Sequence, residues 1–127
     1  MPAELFRTRS LREVPGGCRT IVAAPEQGWT HVPLGEWELA DGAGFGDCHP
    51  HEELNVVLDG LLVVECDGGR VEAGPGNVVR VPAGTPAYYS APSYARMLFV
   101  YGANPAGLPS TTFTDRALVA GQPPQGT

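Results

Sequence analysis

Basic side chains are scarce in this chain: eight stand against fourteen acidic ones in 127 residues, a formal charge of −6. A surface of that sign repels phosphate backbones and anionic lipid, so neither nucleic acid nor membrane is an expected partner. Long apolar runs are missing as well. Arg7, Arg9 and Arg12 near the start are followed by no continuous hydrophobic stretch, and no later segment approaches the length that spans a bilayer. A cytoplasmic location is therefore the expectation. Cysteine is limited to Cys18, Cys48 and Cys66, an odd number at wide spacing that fits neither a disulfide framework nor a C-x-x-C zinc pattern. Cys18 and Cys66 lie in apolar runs and are expected in the core, with Cys48 more exposed. Also absent are G-x-S-x-G, a phosphate loop, a dinucleotide fingerprint and zinc-finger spacing, which removes the commonest hydrolase, kinase, dehydrogenase and DNA-binding readings.

No amphipathic helical period persists, and 17 glycines with 13 prolines favour turns between many short strands. The 43% apolar composition suits one modest core. From residue 54 onward, β-branched and aromatic runs alternate with turn signals: 54–58, 61–66, 70–73, 77–81, 87–90 and 96–101 read as strands. Asp67-Gly68-Gly69 is the clearest hairpin signal, since glycine takes the positive φ angles that such connections need. Earlier, 18–24 and 34–39 read as strands, and 42–46 as a flexible approach to the segment that follows.

That segment, Asp47-Cys48-His49-Pro50-His51-Glu52-Glu53, holds two of the chain's three histidines and three carboxylates just before an apolar strand. If it is extended, Asp47, His49, His51 and Glu53 share one face, which continues through Asn55 and Val57. Two imidazoles and a carboxylate converging from one side suit a divalent metal such as Fe, Mn, Ni or Zn. The alternative is a solvated acidic turn. His31 lacks nearby partners and reads as a hydrogen-bonded structural residue. Cys48 beside His49 is poorly placed for nucleophilic chemistry, because adjacent residues on a strand face opposite ways.

Glu53 followed after six residues by Gly60, and Gly76-Asn77-Val78-Val79-Arg80-Val81-Pro82-Ala83-Gly84, reproduce parts of the two motifs of the cupin superfamily. The chain resembles that family. Within it, Glu53-Leu54-Asn55-Val56-Val57-Leu58-Asp59-Gly60 and Met97-Leu98-Phe99-Val100-Tyr101 look like the cupin domain of ethanolamine-utilisation Q-type proteins. The resemblance implies an all-β fold, a cupin-type jelly-roll β-barrel. Residues 1–101 would form the barrel with its N-terminal strands. Residues 102–127 would form a Gly/Pro-rich tail, draped over the barrel through Phe113, Leu118 and Val119 or disordered. In the family register Asp47 and His49 stand where two histidine ligands are usual, and Ala87 and Ala91 replace the third histidine and an asparagine. By that register the site would be Asp47, His49 and Glu53, with His51 in a turn. The Q-type subgroup itself lacks the histidine ligands of the first motif.

Ala87 shares a strand face with Tyr89, so Asn55, Val57, Ala87 and Tyr89 are expected to line a pocket for a small molecule. The other tyrosines read as packing residues. Trp37 is expected against the core or a partner subunit, with Glu36 and Glu38 facing solvent. Arg80 either balances an interior carboxylate or faces outward. By resemblance the chain pairs as a homodimer, burying outer-face residues of the Leu61–Val64 run. Two function classes follow: a metal-dependent enzyme acting on a small polar metabolite, and a metal-free, non-catalytic binding or accessory protein.

Overall fold

The computed structural model describes residues 3–7 and 17–119. Ten strands run in chain order: β1 (Cys18–Val22), β2 (Leu34–Leu39), β3 (Gly44–Cys48), β4 (Glu53–Gly60), β5 (Leu62–Cys66), β6 (Gly69–Ala73), β7 (Val78–Val81), β8 (Ala87–Ser90), β9 (Ala95–Tyr101) and β10 (Thr111–Phe113), followed by a 3-10 turn at Arg116–Leu118. They form two five-stranded antiparallel sheets, β1-β2-β9-β4-β7 and β10-β3-β8-β5-β6. Every connection between consecutive strands changes sheet except β1 to β2 and β5 to β6. This is the expected jelly roll, built as two facing sheets rather than one closed ladder. Among the described residues no helix is long and apolar enough to cross a membrane.

Side-chain alternation decides which face is buried. In β4, Glu53, Asn55 and Val57 point inward, while Leu54, Val56 and Leu58 are only half-buried. In β9 the inward series is Ala95, Met97 and Phe99. The core gathers Trp37, Leu62, Val64, Val81 and Met97 with Tyr89. Its aromatic centre has Trp37 edge-on to Phe45 and Tyr89, with ring centroids 5.4 Å and 5.6 Å away. The hairpin β5–β6 turns on Asp67 and Gly68, with φ of 53° and 73°, and Cys66 pairs with Gly69 across it. Two consecutive positive φ angles mark the tight turn whose twist matches the flanking strands.

Several expectations change. The stretch read as a flexible approach becomes ordered strand from Gly44, because β8 on one side and β10 on the other supply ladder partners. Thr111–Phe113, placed within the tail, forms β10, and Phe113 covers Gly46. Beyond it Arg116 pairs with Glu65 and lies over the Tyr88 ring, and Val119 is buried, whereas Leu118 is exposed. Residues 120–127 lie outside the described part.

Cys18 is exposed rather than in the core, because it opens the edge strand β1; Cys66 is half-buried against the core. Trp37 is in the core, but Glu36 is buried rather than solvated. Its carboxylate lies on the outer face between Arg19 and Arg96, whose side chains cover it. Within the Leu61–Val64 run, Leu62, Val63 and Val64 are already buried in a single chain, which removes them as a pairing surface. Leu62 and Val64 face the opposite sheet, and the C-terminal turn lies over the outer side of this one. Arg80 faces outward and pairs with Glu52 at 2.6 Å.

Candidate metal centre

The segment 47–53 is not one extended strand. Asp47 ends the inward face of β3, Glu53 begins β4 in the other sheet, and residues 49–52 make the turn between them. The turn is fixed at both ends by backbone hydrogen bonds. Gly84 N donates to the His49 carbonyl at 2.7 Å, and Gly102 N donates to the Glu52 carbonyl at 2.8 Å. The Pro82-Ala83-Gly84 loop therefore serves as a clamp on the His49 backbone.

This crossover brings Asp47, His49 and Glu53 together, with one ligand atom from each lying within 4.8 Å of the others. His49 Nε2 is 3.0 Å from Asp47 Oδ2 and 3.8 Å from Glu53 Oε2. This nitrogen is buried, and the Asp47 carboxylate is its nearest charged neighbour. His51 is placed otherwise. It is buried in the turn, its Nδ1 bonded to the Glu52 carbonyl at 3.0 Å and its ring stacked 4.6 Å from that of His49.

Burial and the Asp47 charge drive the Glu53 pKa up to about 7, against weaker opposing effects of Tyr89, His49 and Asn55. The Tyr89 hydroxyl donates to Glu53 Oε1 at 2.6 Å. Burial and the neighbouring carboxylates also raise the Tyr89 pKa, so this hydroxyl stays protonated. For His49, burial works against protonation, but Asp47 and Glu53 outweigh it and the pKa rises. His51 moves down, chiefly through burial, with the His49 charge adding to it.

Asp47 and Glu53 form one part of the wall of a cavity of about 500 Å³, whose apolar lining includes Trp37, Phe45 and Phe99. The four residues expected to line a pocket lie one layer deeper. Asn55, Val57, Ala87 and Tyr89 are fully buried, and two of them support wall residues. Asn55 Oδ1 accepts from Trp37 Nε1 at 2.8 Å, and Tyr89 holds Glu53. Asn55 Nδ2 is near enough to influence the Glu53 carboxylate but makes no hydrogen bond of normal geometry. His31 is remote and exposed, bonded to the Ala23 carbonyl at 2.7 Å.

Two further residues complete the site. Tyr101 lines the cavity and packs against both histidines, with ring centroids 5.2 Å and 4.3 Å away. The inward alternation of β9, continued from Phe99, points to it. Ser110 Oγ shares a 2.6 Å hydrogen bond with His49 Nδ1. It lies 61 residues further along, in a segment rich in turn formers, and no local pattern marks it.

Two facing antiparallel sheets with a histidine and two carboxylates at one end define a jelly-roll domain with a candidate metal centre. Residues 35–101 match the family model described as Cupin domain, and the chain belongs to the cupin family. Fifty residues are 36% identical to the acetate kinase EutQ of Clostridioides difficile strain 630, covering 39% of this chain. The match spans 32% of that relative, so roughly a third of its length has a counterpart here. The crystal structure of an ethanolamine utilization protein Q from Salmonella typhimurium LT2 superposes with a TM-score of 0.57 at 26% identity, over 71% of this chain and 69% of that one. The polyketide cyclase RemF from Streptomyces resistomycificus gives 0.56 at 25% identity, over 66% and 62%.

Proposed function

We propose that this cupin is a cytoplasmic protein that holds a divalent metal through Asp47, His49 and Glu53 and uses the adjoining cavity to act on a small polar metabolite. The observation that carries the reading is the convergence of one ligand atom each from Asp47, His49 and Glu53 within 4.8 Å of one another. Two carboxylates this close together repel each other when both are charged, and a cation among the three atoms would stabilise them. One histidine and two carboxylates suit Fe, Mn or Zn and leave coordination positions open for substrate. When bound, such an ion would act as a Lewis acid that polarises a substrate oxygen.

The chain's own groups have separable tasks. Tyr89 occupies Glu53 Oε1 and leaves Oε2 turned toward the cluster. Trp37, Phe45 and Phe99 give the cavity an apolar wall against which a substrate's hydrocarbon part can lose its water. Glu53, with its pKa near 7, can hold or release a proton at neutral pH when no cation is bound. That property, with the His49–Asp47 contact, favours a second reading: a metal-free binding protein whose trio balances its own charges. The three free thiols fit a reducing compartment.

Metal content of untagged protein purified without chelators separates the two readings. Near-stoichiometric metal in wild type, lost in a His49→Ala, Glu53→Ala variant, supports the metal centre. No uptake after incubation with Fe(II), Mn, Ni and Zn overturns it in favour of metal-free binding. We also infer that two copies pair through the outer face of the first sheet, where Leu54, Val56 and Leu98 are half-buried and Val78 is exposed. A monomeric mass by light scattering would refute the pairing.

A further inference from the structure

Ser110 lies beyond the segment 35–101 that matches the cupin family, yet its hydroxyl touches the central imidazole of the site. Its place is built from both sides. On one side Asn104 is buried and clasps Leu108 twice. Its Nδ2 donates to the Leu108 carbonyl at 2.9 Å, and its Oδ1 accepts from Leu108 N at 3.1 Å. The Asn104 backbone exchanges two 3.0 Å hydrogen bonds with Trp29. Gly107, with φ of +63°, crosses so close to residues 26–27 that a Cβ there would lie 2.5 Å from the Glu26 carbonyl oxygen. On the other side Thr111 opens β10 and pairs with Cys48, the neighbour of His49. A three-dimensional clasp and a strand register thus fix the backbone on either side of Ser110.

An imidazole with one nitrogen on a metal needs the other to carry its proton to an acceptor, which fixes both tautomer and ring orientation. We propose that Ser110 is the positioning residue for His49: its Oγ accepts the Nδ1 proton and leaves the Nε2 lone pair facing Asp47 and Glu53. The proposal rests on the metal reading above and adds the residue, outside the family segment, that prepares the ligand. A hydroxyl is suited to this place because it can also reverse. With no cation bound, Oγ can donate to Nδ1 while Nε2 carries the proton toward Asp47. Alanine can do neither, and threonine can do both.

The test is Zn(II) titration of metal-free wild type, Ser110→Ala and Ser110→Thr by calorimetry, with thermal unfolding as a folding control. Imidazole nitrogen NMR of the Zn-loaded proteins reads the tautomer. The expected result is a roughly ten- to hundredfold loss of Zn affinity in Ser110→Ala at unchanged fold. Recovery in Ser110→Thr and an Nδ1–H tautomer for His49 in wild type complete the expectation. Equal affinity in Ser110→Ala and wild type overturns the role of Ser110 while leaving the metal centre standing. Failure of Ser110→Thr to recover affinity also overturns it, and a wild type that takes no Zn overturns both.

Discussion

Glu36 and Glu53 are buried on opposite faces of the same sheet, and their surroundings drive them in opposite directions. Glu36 on β2 pairs in register with Leu98, which in turn faces Val56 on β4, so its side chain shares the outer face. Glu53 occupies the inner face of β4. Burial opposes charge on both. On the outer face Arg96 and Arg19 outweigh burial and the Glu36 pKa falls, whereas on the inner face Asp47 adds to burial and the Glu53 pKa rises to about 7.

Glu53→Gln should stabilise the metal-free protein at alkaline pH and not at acid pH. Below the ordinary carboxyl value, both folded and unfolded states are protonated and Glu53 costs nothing. Above its folded value near 7, the native state carries the whole penalty, roughly 3 kcal/mol. Urea midpoints in the presence of a chelator, at about pH 4 and about pH 8, should coincide at the first and separate at the second. A constant difference across that range would mean that Glu53 titrates normally.

Glu36→Gln should behave in the reverse sense. A lowered folded pKa gives stability that is present above the ordinary carboxyl range and lost as the pH falls through the folded value. Removing the charge leaves Arg19 and Arg96 without their shared carboxylate, at a cost of about 2 kcal/mol near neutral pH. That cost should shrink as acid protonates the wild-type side chain. Chemical denaturation at neutral pH and at pH below the ordinary carboxyl range is the check, and a gap that widens in acid would contradict the assignment.

The strands were legible wherever period-two alternation was closed by a turn. Leu34–Leu39 and Ala87–Ser90 have the limits read from sequence, and Asp67-Gly68 forms the expected hairpin turn. Glycine-rich β3 was not legible, because its order comes from partners distant in sequence. The candidate site was visible as a cluster but not as a geometry. Strand alternation alone aligns four side chains, whereas the family register leaves His51 in a turn; the crossover between sheets assembles the three that the register names, Asp47, His49 and Glu53. Ser110 was invisible, because a contact spanning 61 residues leaves no local pattern. The burial of Glu36 was missed because alternation alone assigns its face to solvent and carries no information about the two arginines that close over it.

Tyr89→Phe should leave the fold intact and cost about 1–3 kcal/mol, because Glu53 Oε1 then keeps its burial and loses its donor. With that donor gone the Glu53 pKa should rise further, since Tyr89 is among the groups that hold it down. Carboxyl titration by NMR in the metal-free protein checks the direction. A downward movement would show that the hydroxyl does not stabilise the charged form.

Ala87 pairs directly with Asp47 across β3 and β8 and faces inward beside it. It is the position where the family resemblance places a histidine, and its methyl group is fully buried. Ala87→His should therefore have two opposed effects. The larger side chain must displace packed neighbours, costing the metal-free protein about 1–3 kcal/mol. In exchange a fourth ligand becomes available next to Asp47, and Zn affinity should increase at least about tenfold. Chelator-competition titration measures the second effect and urea denaturation the first. Loss of stability with unchanged Zn affinity would show that a side chain at this position fills the core without reaching the cluster, and that Asp47, His49 and Glu53 act without help from β8.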